Sequence, residues 1–245
     1  MMSADDVSWL FETPIAHRGL HNKQIIENSR EAFMHSIEKS FPIEVDIHLC
    51  QRGELVVYHD DTLRRIFNLN VKTKELNPDF LTYLKYPGVK SSIMSFGECL
   101  ELVAGNVPLL IEVKSSRNDR KKISETLQLQ LQNYKGRYAF QSFDPILLKE
   151  IRALNPDVPI GWLCCNWWQQ EIKFLDKVYL NYFGPYSSRK INFLSVEKNL
   201  LAKNTMKFLR KYFNIPMLSW TIKGQKEHQA VAKYCDNIIF EGFLP

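Results

Sequence analysis

The segment from Ile43 to Asp61, IEVDIHLCQRGELVVYHDD, sets carboxylates into an apolar strand pattern, and few folds accommodate that. In a strand alternate side chains share a face, so Glu44 and Asp46 project to one side and Ile43, Val45 and Ile47 to the other. Two close anions on a face turned inward have their pKa values forced upward unless a divalent cation or basic groups sit between them. A hard metal ion is the economical counter-charge. Gln51-Arg52-Gly53 then reads as a turn and Leu55 to Tyr58 as a short returning strand ending in His59-Asp60, so the hairpin brings a histidine back toward the carboxylates.

At 245 residues the chain is long enough to bury a sizeable core, and a single domain over 1–245 is expected. The net charge of +5 comes from Lys and Arg scattered along the sequence. That pattern argues against a nucleic-acid partner and suits an anionic small molecule. The five cysteines, Cys50, Cys99, Cys164, Cys165 and Cys235, are odd in number and lack C-x-x-C spacing. They read as reduced, buried thiols rather than as a disulfide framework or zinc site. Acidic residues Asp5 and Asp6 stand where a signal peptide carries basic ones, and no apolar run approaches the ~18 residues of a transmembrane segment. A soluble, cytoplasmic protein is expected; nothing in the sequence bears on its oligomeric state.

Residues PIAHRG at 14–19 form a short apolar strand ending in His17-Arg18-Gly19, a titratable group beside a fixed cation. Asn28 and Glu31 have capping-box spacing for a helix whose small or apolar face includes Ala32, Phe33, Ser36 and Ile37. Strand, helix, strand is a βαβ unit with parallel strands. From about 61 to 95 the period is lost among Asn, Lys, Pro78 and Pro87, which reads as an insertion over the active face. A helix from Phe96 leads to the strand LLIEVK, with Glu112 and Lys114 on one face. Strands at Tyr138, Pro159, Phe193, Pro216 and Asn237 then alternate with helices over 145–154, 199–212 and around His228. About eight parallel strands in a chain near ~250 residues predict a (β/α)₈ TIM barrel with a small insertion after the second strand. That fold builds its site at the C-terminal ends of the strands, where His17, Arg18, Glu44, Asp46, Glu112, Lys114 and Trp220 fall.

The ordered set His17-Arg18-Gly19, Glu27-Asn28, Glu44-Val45-Asp46, Gly53, His59-Asp60 and Glu112-Val113-Lys114 resembles the glycerophosphodiester phosphodiesterases. Gln141-Ser142-Phe143-Asp144 and Trp220-Thr221 look like later landmarks of that family. Departures are modest: Ile26 replaces a usual proline, Cys50 a usual threonine, and the closing FEGFLP lacks the family's Thr-Asp. The resemblance implies hydrolysis of a small-molecule glycerophosphodiester to an alcohol and glycerol 3-phosphate. Phosphodiester hydrolysis needs charge on the non-bridging oxygens, a nucleophile that loses a proton and a leaving alkoxide that gains one. Glu44, Asp46 and Glu112 offer oxygen ligands for one Ca²⁺ or Mg²⁺ ion. Arg18 and Lys114 supply positive charge to the phosphate, and His17 and His59 divide the acid and base roles, their order left open. Trp220 is either core or a wall for the glycerol moiety, and Trp167 and Trp168 either pack under the neighbouring helix or place at least one ring at the mouth beside the alcohol. Alternatives are a lysophospholipase D of the same family, a phosphatidylinositol-type phospholipase C, and a non-catalytic barrel that binds anionic phosphoesters.

Overall fold

The structure is a computed structural model describing residues 7–81, 83–167 and 191–245. The chain divides into two compact units, Ile15–Tyr138 and Met1–Pro14 with Ala139–Pro245. Among the described residues no helix is long and apolar enough to cross a membrane.

The unit Ile15–Tyr138 is organised on β2 (Ile43–Leu49), flanked by β1 (Ile15–Ala16), β3 (Leu55–Val57) and β4 (Leu109–Val113). Strands β1 and β4 run parallel to β2, with Ala16 opposite Ile43 and Glu112 opposite Asp46. The returning arm β3 is antiparallel and sets Val57 opposite Ile47. Both faces of β2 are covered, so residues 43–48 are all buried, as expected of a parallel strand with helices outside and side chains within. The helix Arg30–Glu38 buries Ala32, Phe33 and Ser36. Its cap is Ser29, whose hydroxyl accepts the Ala32 N–H, and not Asn28 as the capping-box spacing predicted. Asn28 is drawn away by its bonds to β2. The helix Phe96–Val103 has a full capping box between Ser95 and Glu98, and Arg120–Leu131 buries Ile123, Leu127 and Leu131.

The insertion has a core of its own. Tyr58, Leu63, Leu76, Tyr86 and Ile93 are buried together, with Ile66, Phe67 and Val71 packed on them. The Phe67 ring stacks on Tyr86 at 5.1 Å and lies 6.1 Å from Tyr58. These irregularly spaced aromatics fix a loop that has no period, and the short turns Arg64–Phe67 and Thr73–Glu75 sit on them.

In the second unit, β5 (Tyr138–Ser142), β6 (Ile160–Cys164), β7 (Phe193–Glu197), β8 (Met217–Ile222) and β9 (Asn237–Phe240) pair in sequence, all parallel. The helix Pro145–Leu154 starts where Asp144 accepts the N–H groups of Ile146 and Leu147, with Pro145 at the first helical position. The helix expected over 199–212 starts later, at Asn204, because Lys198–Leu200 forms a 3₁₀ turn. The amide of Asn237 donates to the carbonyls of Leu10 and Thr13 at 2.8 and 2.7 Å and so ties the helix Trp9–Glu12 to this unit.

Gly161 lies opposite Phe193 in the β6–β7 register, and a Cβ there would run into the Phe193 ring, which is itself fully buried. With no room for the ring to yield, Gly161→Ala is expected to destabilise the protein by about 1–3 kcal/mol, measured as a lower urea midpoint with unchanged slope.

Candidate active site

The polar centre of the unit Ile15–Tyr138 begins at the end of β1. Arg18 has φ +54° and Gly19 φ +77°, so the chain doubles back immediately after the strand. A Cβ on Gly19 would lie 2.7 Å from Phe33 Cδ1 and 3.0 Å from the Ala32 backbone, which restricts the position to glycine. This turn points the Arg18 N–H at Glu44 Oε2 (3.0 Å) and the guanidinium at Glu27 Oε1 (2.6 Å) and Asp46 Oδ2 (3.3 Å). His17, half-buried, is carried beside Arg18 at the same strand end.

The β2–β4 register does the rest. Glu44, Asp46 and Glu112 are buried, and their carboxylate oxygens come within 4.8 Å of one another. Lys114 reaches Asp46 Oδ1 at 3.0 Å and also pairs with Glu112. Asn28 donates to Asp46 Oδ2 at 2.9 Å. The three carboxylates titrate differently. Burial raises Glu44 well above the ordinary glutamate value, and the negative charges of Asp46 and Glu112 add to the rise. Burial also raises Glu112, against the opposing pull of Lys114. Burial acts on Asp46 too, but Lys114 and Arg18 outweigh it and hold that carboxyl well below the carboxylate range. The same anions keep Arg18 and Lys114 protonated despite their burial. Two fixed cations thus face three clustered carboxylates, two of which resist ionisation. An all-oxygen donor set of three carboxylates against two cations fits a hard divalent cation, whose charge would return Glu44 and Glu112 to the anionic form.

His59 approaches from the returning arm. His48 is buried and donates from Nε2 to the His59 carbonyl at 3.0 Å, and Thr73 Oγ1 donates to the Asp60 carbonyl at 2.5 Å. His59 Nδ1 and Asp60 Oδ1 are 2.6 Å apart. Arg65 then donates to Asp60 at 2.7 Å and to both oxygens of Glu27 at 2.5 and 3.1 Å. Since Glu27 also binds Arg18, an unbroken run of alternating charges joins His59 to Arg18.

This unit therefore brings together Arg18, Glu44, Asp46, His59, Glu112 and Lys114, with His17 next to Arg18. Trp220 belongs to β8 in the other unit, half-buried and edge-on to Phe143 at 5.8 Å. Trp167 is packed edge-on to the same Phe143 at 5.6 Å, and Trp168 lies outside the described residues. Sequence reasoning missed the roles of Glu27, Asp60 and Arg65 and the support from His48. The signal present was His-Asp with an arginine five residues beyond Asp60, but only the Arg64–Phe67 turn brings Arg65 back to Asp60.

Residues 17–241 match the model of the glycerophosphoryl diester phosphodiesterase family. The chain belongs to this family. A glycerophosphodiester phosphodiesterase of Caldanaerobacter subterraneus is 30% identical over 161 residues, 61% of this chain and 65% of that protein's length. Among solved structures, the glycerophosphodiester phosphodiesterase of Thermotoga maritima aligns with TM-score 0.72 at 22% identity, covering 94% of both chains. An Oleispira antarctica phosphodiesterase, solved with sn-glycerol-3-phosphate, aligns with TM-score 0.76 at 17% identity, covering 95% of this chain and 93% of that one. These likenesses establish the fold of this glycerophosphoryl diester phosphodiesterase family member as the (β/α)₈ barrel, with β3 as an extra strand.

The Arg65 pairing carries a pH signature. Burial raises the pKa of Glu27 and Asp60, but hydrogen bonds and charge from Arg65 outweigh it and leave both below their ordinary values. Carboxylates lowered in this way stabilise the fold above their unfolded pKa, about 4, and lose that contribution as pH falls through the lowered values. Arg65 is half-exposed and screened, so Arg65→Met is expected to cost about 1 kcal/mol at pH 7. In urea titrations from pH 7 downward, the difference from wild type should shrink below about pH 4.

Proposed function

We propose that the chain, acting as one barrel domain, hydrolyses glycerophosphodiesters to an alcohol and glycerol 3-phosphate. The observation that carries this reading is the buried cluster of Glu44, Asp46 and Glu112, faced by the cations Arg18 and Lys114, with the His59–Asp60 pair in the same unit. It is supported by the family match and by the glycerol 3-phosphate product held by the structurally similar Oleispira protein.

Glu44, Asp46 and Glu112 would hold one Ca²⁺ or Mg²⁺ ion, which when bound polarises a non-bridging phosphate oxygen. Arg18 and Lys114 stay protonated in their anionic surroundings and stabilise negative charge on the phosphate oxygens. Asp60 holds the Nδ1 side of the His59 ring, leaving Nε2 to exchange a proton with the attacking or leaving oxygen. His17 takes the complementary proton role at the end of β1. We assign Trp220, on β8, to the glycerol moiety, whose uncharged carbons an aromatic ring can cover. Five free, buried cysteines suit a reducing compartment, and we place the protein in the cytoplasm.

Purified protein incubated with glycerophosphocholine should release glycerol 3-phosphate and choline, and EDTA should abolish the release. Turnover of lysophosphatidylcholine in preference to glycerophosphocholine would move the assignment to lysophospholipase D, and turnover of neither would leave a binding barrel. His17→Ala and His59→Ala should each lower kcat by ~10² or more with the thermal transition unchanged, as loss of a proton-transfer group does. A variant with near-full kcat would remove that histidine from the reaction. In calorimetric titration of the metal-free protein, Ca²⁺ or Mg²⁺ should bind with a stoichiometry of about one, and Asp46→Asn should abolish the binding heat.

A further inference from the structure

The basic charge of the chain is not evenly spread. From Lys198 to Lys226 there are seven Lys or Arg residues and no Asp or Glu, against a net charge of +5 for the whole chain. The centre of this stretch is the helix Asn204–Phe213, NTMKFLRKYF. Its inner face is short, with Met206 and Leu209 buried. At 3.6 residues per turn, Phe208 and Tyr212 fall one above the other on the opposite side, flanked by Lys207 and Lys211. The structure agrees: Phe208, Tyr212 and Phe213 are 44, 63 and 51% exposed. The Phe208 ring packs on Tyr212 at 4.7 Å and on Phe213 at 6.1 Å, forming one apolar knob on the outside of the helix.

The charges on the helix divide into two kinds. Arg210 is structural, its guanidinium bonded to Asp236 and to the Tyr234 carbonyl at 2.7 Å each. Lys203, Lys207 and Lys211, by contrast, have no carboxylate partner among the described residues, and Lys211 lies 5.2 Å over the Tyr212 ring. A contiguous patch of exposed rings bordered by unpaired lysines has a hydrophobic cost in water and marks a docking face.

We propose that this helix face docks the protein reversibly onto the anionic surface of a lipid bilayer. Aromatic rings at the outermost point enter the boundary between headgroups and acyl chains, while lysine stems lie along the apolar region and their ammonium groups reach acidic headgroups. A nucleic acid would need ring faces held apart to stack bases, whereas Phe208 and Tyr212 cover each other. The ten-residue helix is about 15 Å long, a single peripheral contact rather than an anchor. This surface is independent of the chemistry proposed for the carboxylate cluster.

The test is co-sedimentation of the full chain with vesicles of phosphatidylcholine alone and of phosphatidylcholine mixed with phosphatidylglycerol. Binding should be confined to the anionic vesicles and fade between about 0.15 M and about 1 M salt, as the screening length falls from about 8 to 3 Å. Lys207→Gln with Lys211→Gln should weaken binding roughly 25-fold, about fivefold per lysine. Phe208→Ser with Tyr212→Ser should abolish it. Both variants should unfold at the wild-type temperature and hydrolyse a water-soluble glycerophosphodiester at the wild-type rate. No vesicle binding, equal binding to phosphatidylcholine alone, or wild-type binding by both variants would overturn the proposal. So would a wild-type dimer that the Phe208→Ser, Tyr212→Ser variant dissolves in sedimentation equilibrium, since the rings would then serve self-association.

Discussion

Asp46 is a fully buried carboxylate held between Arg18, Lys114 and the Asn28 amide, and the arrangement of the unit Ile15–Tyr138 depends on it. An ion stripped of water at this depth is tolerated only if opposite charge and hydrogen bonds replace hydration, and removing one partner of such a group typically costs about 3–5 kcal/mol. Each partner of Asp46 arrives from a different stretch of chain. Arg18 follows β1, Asn28 precedes the first long helix of the unit, and Lys114 follows β4. One side chain therefore fixes the relative positions of three segments that are far apart in sequence.

That requirement is visible in the backbone. Arg18 and Asn28 both have positive φ, +54° and +53°, a region that residues with a Cβ avoid. The Asn28 N–H bonds to the Arg18 carbonyl at 2.9 Å, so the two strained residues hold each other. Strain of this order, about 1–3 kcal/mol per residue, persists where surrounding contacts over-determine the conformation. Here the compensation is electrostatic, since only this path aims an amide and a guanidinium at the same carboxylate. It also explains why Asn28 does not cap the neighbouring helix and Ser29 does.

The insertion fits the same scheme at one remove. Its aromatic core around Tyr58 and Tyr86 holds the turn that carries Arg65, and Arg65 connects Asp60 to Glu27. The orientation of His59 thus rests on apolar packing as much as on its own hydrogen bond. Asp60 fixes one edge of the ring through Nδ1, and His48, which burial keeps neutral, holds the His59 backbone through its carbonyl.

The sequence by itself determined the alternation of strands and helices, because apolar periodicity and turn residues are local properties that survive without a tertiary frame. It also determined Glu44, Asp46, Glu112, Lys114 and the His17–Arg18 and His59–Asp60 pairs as candidates. Charged residues inside apolar strand patterns, or at strand ends, are conspicuous whatever they contact. Tertiary structure decided which charges pair. The bond from Arg65 to Glu27 spans 38 residues and depends on the packing of a loop with no period. The exchange of Asn28 for Ser29 as helix cap depends on a carboxylate 18 residues away. The exposed ring cluster on Asn204–Phe213 was likewise hidden, because Phe208 and Tyr212 look like core residues until the fold shows which side of the helix faces water. In each case the deciding quantity was a distance or a burial between residues remote in the chain, which spacing along the sequence does not encode.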